Sequence, residues 1–85
     1  MAKYKILLKH SAVKELEDIP KKDIKKIIKR IQSLAMNPRP SGAKKLSDQE
    51  RYRIRQGDYR MVYSIQDNEF TTHIYKIGHR REIHR

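Results

Sequence analysis

The sequence of 85 residues has no cysteine, no tryptophan, one phenylalanine, three glycines and three prolines. Without cysteine there is no disulfide framework, no thiolate metal site and no thiol nucleophile. Acidic residues are few: ten Asp plus Glu stand against 21 Lys plus Arg, a formal net charge of +11. Long hydrophobic runs are missing too. Ile6-Leu7-Leu8 is as long as any apolar run becomes, far below the ~20 residues of a membrane-spanning helix. The basic start lacks the continuous apolar stretch of a secretory signal, so a soluble, cytoplasmic domain with no membrane partner is expected. A chain this short builds one core and buries roughly 60–65% of its unfolded surface, which excludes a two-lobed enzyme with a deep interdomain cleft.

What is present suffices for one compact domain over residues 1–85. Hydrophobic residues make up 36% of the chain and five tyrosines are among them, so the charge does not impose disorder. The surplus of positive charge favours a polyanionic partner, but composition alone does not choose among nucleic acid, an anionic membrane surface and an acidic protein.

Periodicity organises the chain. Tyr4, Ile6 and Leu8 alternate with Lys5 and Lys9, a period-two strand. Ser11 reads as the N-cap of a short helix with Val13 and Leu16 on one face, broken at Ile19-Pro20. Ile24, Ile27, Ile28, Ile31, Leu34 and Ala35 then form one stripe at helical spacing, with the lysines mostly off it. The segment Asn37 to Gly42 ends this helix in a turn-rich loop.

From Tyr52 the period becomes two. Two strands joined at Gly57-Asp58 place Tyr52 opposite Tyr63, Ile54 opposite Met61, and Arg55 opposite Arg60. A turn at Asp67-Asn68 starts a third strand with Phe70, Thr72 and Ile74 on the core face and His73 and Tyr75 on the other, Tyr75 beside Arg60. Gly78 is expected to turn the chain after this strand and return Arg80 toward the sheet. The order predicts an α+β fold: a strand, a two-helix hairpin and an antiparallel three-stranded meander, with the helices covering one face.

The uncovered face then carries Arg53, Arg55 and Arg60. Like charges directly opposite one another destabilise a hairpin, and guanidinium forks match phosphate oxygens. The arrangement points to an anion site, with a solvated strand face as the plainer alternative. The loop Lys44-Lys45 adds charge before these strands, and Lys76, His79, Arg80, Arg81, His84 and Arg85 add it after them. The lysines of the long helix read as solvation. His79 and His84 lack a carboxylate at metal-binding spacing, and no serine lies in a nucleophile elbow.

The stretch from Tyr52 to Tyr63 (YRIRQGDYRMVY) and the ending Ile77 to Arg85 (IGHRREIHR) resemble the RelE/ParE superfamily of toxins, and both fit the RelE branch better. The resemblance covers nearly the whole chain and implies a RelE-like fold of the microbial RNase type. It implies the toxin of a type II toxin–antitoxin pair, a ribosome-dependent and metal-independent endoribonuclease with no cofactor. In that chemistry the mRNA's own 2′-hydroxyl attacks the neighbouring phosphate. By position, Arg60 and Arg80 clamp the phosphate, and Arg53 and Arg55 stabilise developing charge or orient the message. Arg55 is a poor base, because guanidinium is almost never neutral. Relatives commonly end the motif with Tyr. Here stands His84, a side chain that stacks and titrates near pH ~6.5, suited to general acid or base work. Lys44, Lys45, Tyr75, His79, Arg81 and Arg85 are the accompanying RNA-binding candidates.

The partners the resemblance implies are the ribosome, mRNA and an acidic RelB-like antitoxin, with a toxin–antitoxin heterotetramer among the assemblies. Two other readings stay open on the sequence: a ParE-like inhibitor of DNA gyrase, and an inactive basic module that binds RNA or antitoxin.

Overall fold

A computed structural model describes residues 3–46 and 51–79. Strand β1 (Lys5–Leu8) leads into helix α1 (His10–Glu17) and helix α2 (Lys21–Met36). Strands β2 (Lys44–Lys45), β3 (Tyr52–Gln56), β4 (Tyr59–Gln66) and β5 (Thr71–His79) follow, with one 3-10 turn, Asp67–Glu69, between the last two. The strands form a single sheet in the order β1-β5-β4-β3-β2. The expected meander is present, and β1 joins its far side parallel to β5, which makes the sheet mixed rather than antiparallel. The lysine pair expected in a loop instead forms the short edge strand β2 against Arg53 and Tyr52.

The helices cover one face. Ile27, Ile31 and Leu34 of α2 are buried with Ile54, Met61, Tyr63, Ile74 and Ile77 of the sheet, while Ile24 packs at the margin. In α1 the residues turned inward are Ala12 and Leu16, with Ile19 beyond the helix end. Val13, expected on that face, is 38% exposed, because 12 and 16 are the i, i+4 pair that the helix aims at β5.

Ser11 does not cap α1. The helix begins directly from Lys9, whose backbone N–H is held by the Ile74 carbonyl at 2.9 Å, and no side chain caps it. The Ser11 hydroxyl donates instead to the Tyr75 carbonyl at 3.1 Å, satisfying β5 where β1 has already ended. One helical turn later a Glu15 carboxylate oxygen accepts the Ile77 N–H at 2.9 Å in the same way. Two polar side chains of α1 thus finish the exposed edge of β5.

The β3–β4 hairpin has the predicted register throughout: Tyr52 opposite Tyr63, Ile54 opposite Met61 and Arg55 opposite Arg60. Gly57 has φ +60° and Asp58 does not have positive φ, the pattern of a type II′ turn, whose first central position favours glycine.

Three expectations fail around β5. Phe70 is not in the core but 50% exposed, with left-handed φ 47°, because the turn uses a 3-10 segment and Phe70 closes it by donating to the Asp67 carbonyl. The 3-10 turn starts the β4–β5 pairing at Gln66 and Thr71, and a register shift between Val62 and Tyr63 adds one more residue, so Tyr75 lies away from Arg60. Gly78 does not turn the chain. It lies inside β5, directly opposite Arg60.

Candidate functional site

The face of the sheet away from the helices is built by alternation. Arg53 and Arg55 of β3 and Arg60, Val62 and Ser64 of β4 are out of phase with the buried Ile54, Met61 and Tyr63. None of the five strands contains an acidic residue. Lys44 stands opposite Arg53, and Lys76 opposite Val62. The face is therefore a field of one sign, which raises the local concentration of anions.

Arg55 and Arg60 are the centre of that field. They face each other across the hairpin one pair from its tight end, where opposed residues lie roughly 4.5–5.5 Å apart at their Cβ atoms. Arg55 is exposed, whereas Arg60 retains only 9% of its accessible surface. Gly78, opposite Arg60 on its other side, brings no side chain to the face, which leaves room for the long arginine stem. Arg53 is half-buried between Lys44 and Val62.

A second group lies farther along the same face. Tyr75 is half-buried, its hydroxyl oxygen accepting from Ser64 at 3.2 Å. The Arg51 guanidinium lies 4.0 Å from the Tyr75 ring centroid, and the Lys9 ammonium 5.6 Å from it. Arg51 and Lys9 are not among the residues expected at a site. Arg51 had a legible signal, since it continues the alternation of Arg53 and Arg55 one step earlier. Lys9 had none, because only the parallel β1–β5 pairing brings it there.

His79 belongs to the other side. It is opposite Tyr59, the two rings meeting edge-to-face at 5.8 Å, and it lines a small recess with Glu15 and Asp18 of the α1 region. Lys45 pairs with Tyr52 and is exposed on the edge strand. Arg80, Arg81, His84 and Arg85 fall outside the described residues. Among the described residues, no cluster of three or more His, Cys, Asp or Glu side chains could hold a metal ion, and no helix is long and apolar enough to cross a membrane.

The far end of the sheet is tied by a different network. Arg39 donates two hydrogen bonds to Asp67, at 3.1 and 2.8 Å, and a third from Nε to the Tyr52 hydroxyl at 3.1 Å. The Tyr4 hydroxyl donates to the same carboxylate at 2.7 Å. The Arg39 fork, then Tyr4, hold the Asp67 carboxyl down to about 2, and its carboxylate raises the pKa of Tyr4 in return. Beneath them Tyr63 donates to the Pro38 carbonyl at 2.8 Å, and burial pushes its phenol up to about 12. These contacts fasten the loop after α2 to the β4–β5 turn.

Known proteins resemble this chain in sequence family and fold. The family model described as ParE toxin of type II toxin-antitoxin system, parDE, matches residues 6–84. The toxin–antitoxin complex RelBE2 from Mycobacterium tuberculosis is similar at a TM-score of 0.85 and 24% identity, over 94% of this chain and 94% of that one. The archaeal RelE–RelB complex from Pyrococcus horikoshii OT3 is similar at 0.82 and 27% identity, over 92% of this chain and 96% of that one. The intact E. coli RelBE toxin–antitoxin complex follows at 0.79 and 20% identity, over 89% and 95%. No curated protein matches the chain.

Proposed function

This chain belongs to the ParE toxin family of type II toxin–antitoxin systems, within the RelE/ParE superfamily, and from the resemblance of its arginine motifs to the RelE branch we propose that it is an endoribonuclease acting on mRNA in the ribosome. The observation that carries this reading is the opposition of Arg55 and Arg60 on a sheet face whose strands hold no acidic residue. A hairpin gains nothing from two opposed guanidinium groups by themselves. A phosphate between them converts the repulsion into charge-assisted hydrogen bonds.

The reaction that suits such a site is internal transesterification. The 2′-oxygen forms a bond to phosphorus as the bond to the 5′-oxygen breaks, leaving a 2′,3′-cyclic phosphate and a free 5′-hydroxyl. One proton leaves the 2′-hydroxyl and one reaches the departing oxygen. Negative charge grows on the phosphoryl oxygens between these events, and fixed cations placed there stabilise it, each by about 10²–10³ in rate. Arg60 with Arg80 takes the phosphate, and Arg53 and Arg55 meet the developing charge. Proton transfer falls to His84, since histidine is the side-chain type whose ordinary range lies nearest neutral pH. The structural relatives that are complexed with antitoxins support an antitoxin as the protein partner, and the net charge of +11 suits an acidic one.

The test is to express the chain in a translation extract and map mRNA 5′ ends. Codon-spaced cuts that vanish with Arg60→Ala support the reading; intact message during arrested translation overturns it. The description of the matching family favours a second reading, a gyrase-directed toxin without nuclease activity. That reading predicts trapped, cleaved DNA and no cuts in mRNA.

A further inference from the structure

The arginine track does not end at the hairpin. Arg51 precedes the Tyr52–Tyr63 pair by one residue, which sets it level with Ser64, itself paired to His73. Ser64 is small, and the Arg51 side chain reaches across it to lie 4.0 Å from the Tyr75 ring centroid in β5. Lys9, at the end of β1, comes to the same ring from 5.6 Å. Leu7, opposite His73, is 43% exposed beside them. Arg51 is four residues from Arg55 along an extended strand, about 13 Å.

Each part of this group has an ordinary explanation, but their combination has a specific use. Tyr75 is held at two points, its ring hydroxyl by Ser64 and its backbone carbonyl by Ser11. Two cations converge on one ring, and among the described residues the one ion pair found is Arg39–Asp67, whose arginine bonds Tyr52 on the other face of the sheet. A guanidinium near an aromatic ring extends a flat π-surface while its N–H edges stay able to bind phosphate. Flat surfaces of this kind beside a basic track hold unpaired nucleobases, whatever their identity, because every base has a π-face.

We infer that Tyr75, Arg51 and Lys9 form a stacking subsite for one unpaired nucleotide of single-stranded RNA, flanking the phosphate held near Arg55 and Arg60. The inference deepens the nuclease reading and rests on it for the choice of RNA. Tyr75 and Arg51 receive the base, Lys9 and the Arg51 edges receive its phosphate, and exposed Leu7 borders the base on the remaining side. The subsite positions the message; it contributes no proton and no bond change.

The experiment is binding of the purified full chain to a fluorescein-labelled single-stranded RNA heptamer, and to heptamers with one abasic position, measured by anisotropy. Tyr75→Leu is expected to weaken the intact heptamer about 5- to 150-fold, the range for loss of one base–aromatic stack. Tyr75→Phe keeps the ring and stays within about twofold of wild type, which separates stacking from the Ser64 hydrogen bond. Arg51→Gln alters an exposed side chain and lowers the slope of log affinity against log salt by about 0.7. An abasic position at the subsite weakens wild type and leaves Tyr75→Leu unaffected. Equal affinity of wild type and Tyr75→Leu for the intact heptamer, with both folded by circular dichroism, overturns the subsite. Because no cleavage is read, failure of the nuclease reading is separate: uncut mRNA in a translation extract together with base-dependent heptamer binding refutes only the nuclease.

Discussion

Arg55 and Arg60 are directly opposed across the β3–β4 hairpin, one exposed and the other nearly withdrawn from solvent. Two like charges in that position act against the hairpin, which separates what helps folding from what helps a phosphate-binding site.

That separation predicts opposite signs for one substitution. Arg55→Gln removes the repulsion and is expected to stabilise the fold by about 0.2–1 kcal/mol. In the translation extract it lowers the mRNA cutting rate by about 10²–10³. Urea denaturation and 5′-end mapping on the same preparation check both. A loss of stability together with full cutting contradicts the role given to Arg55.

The Asp67 carboxyl gives an acid limb. Its folded-state value of about 2 lies below its ordinary 3.8, so the native state binds its proton less readily than the unfolded chain does. The resulting stabilisation is complete above about pH 4 and is lost as pH falls toward 2. Asp67→Asn is expected to flatten the difference in thermal midpoint between pH 5 and pH 2.5. A variant with the same acid sensitivity as wild type refutes the assignment to Asp67.

Tyr63 gives the corresponding alkaline limb. Its phenol is raised from 10.0 to about 12, so the unfolded chain ionises first as pH rises. Stability is intact below about pH 10 and declines between 10 and 12. Tyr63→Phe removes this decline, and at pH 7 it costs about 0.5–1.5 kcal/mol through loss of the Pro38 hydrogen bond. Chemical denaturation at pH 7, 9 and 11 distinguishes the two effects.

Ile27 tests the packing of α2 on the sheet. It is fully buried in the core, and Ile27→Ala is expected to cost about 2–5 kcal/mol by lost transfer energy plus the cavity left behind. For 85 residues the whole stability is on the order of 4–13 kcal/mol. Calorimetry should therefore show a large fall in melting temperature, while Lys25→Ala on the solvent side leaves it nearly unchanged.

The stripe Ile24 to Ala35 and the register Tyr52 to Tyr63 were legible because both are local. A helix repeats within one turn, and a hairpin closed by Gly57-Asp58 allows one pairing that puts Ile54 and Met61 on the same face. Phe70 misled for a local reason as well: the turn runs through Asp67–Glu69 and β5 starts only at Thr71, so Phe70 stays in the turn while Thr72 and Ile74 keep the core face. Arg51 was readable from its spacing, yet its target was not. Ser11 had the residue type of a cap, but the β5 edge competed for its hydroxyl and won.

The residue order by itself therefore determined the two helices, the hairpin and the concentration of arginine on one sheet face, since each follows from periods of two or 3.6 and a single turn. The tertiary structure alone decided which groups meet across distance. Parallel pairing of β1 with β5 brings Lys9 to Tyr75, and the longer turn after β4 together with the shift between Val62 and Tyr63 puts Gly78, not Tyr75, beside Arg60. Those contacts join residues more than sixty positions apart or depend on extra residues in a turn and a strand. Local alternation carries no record of either.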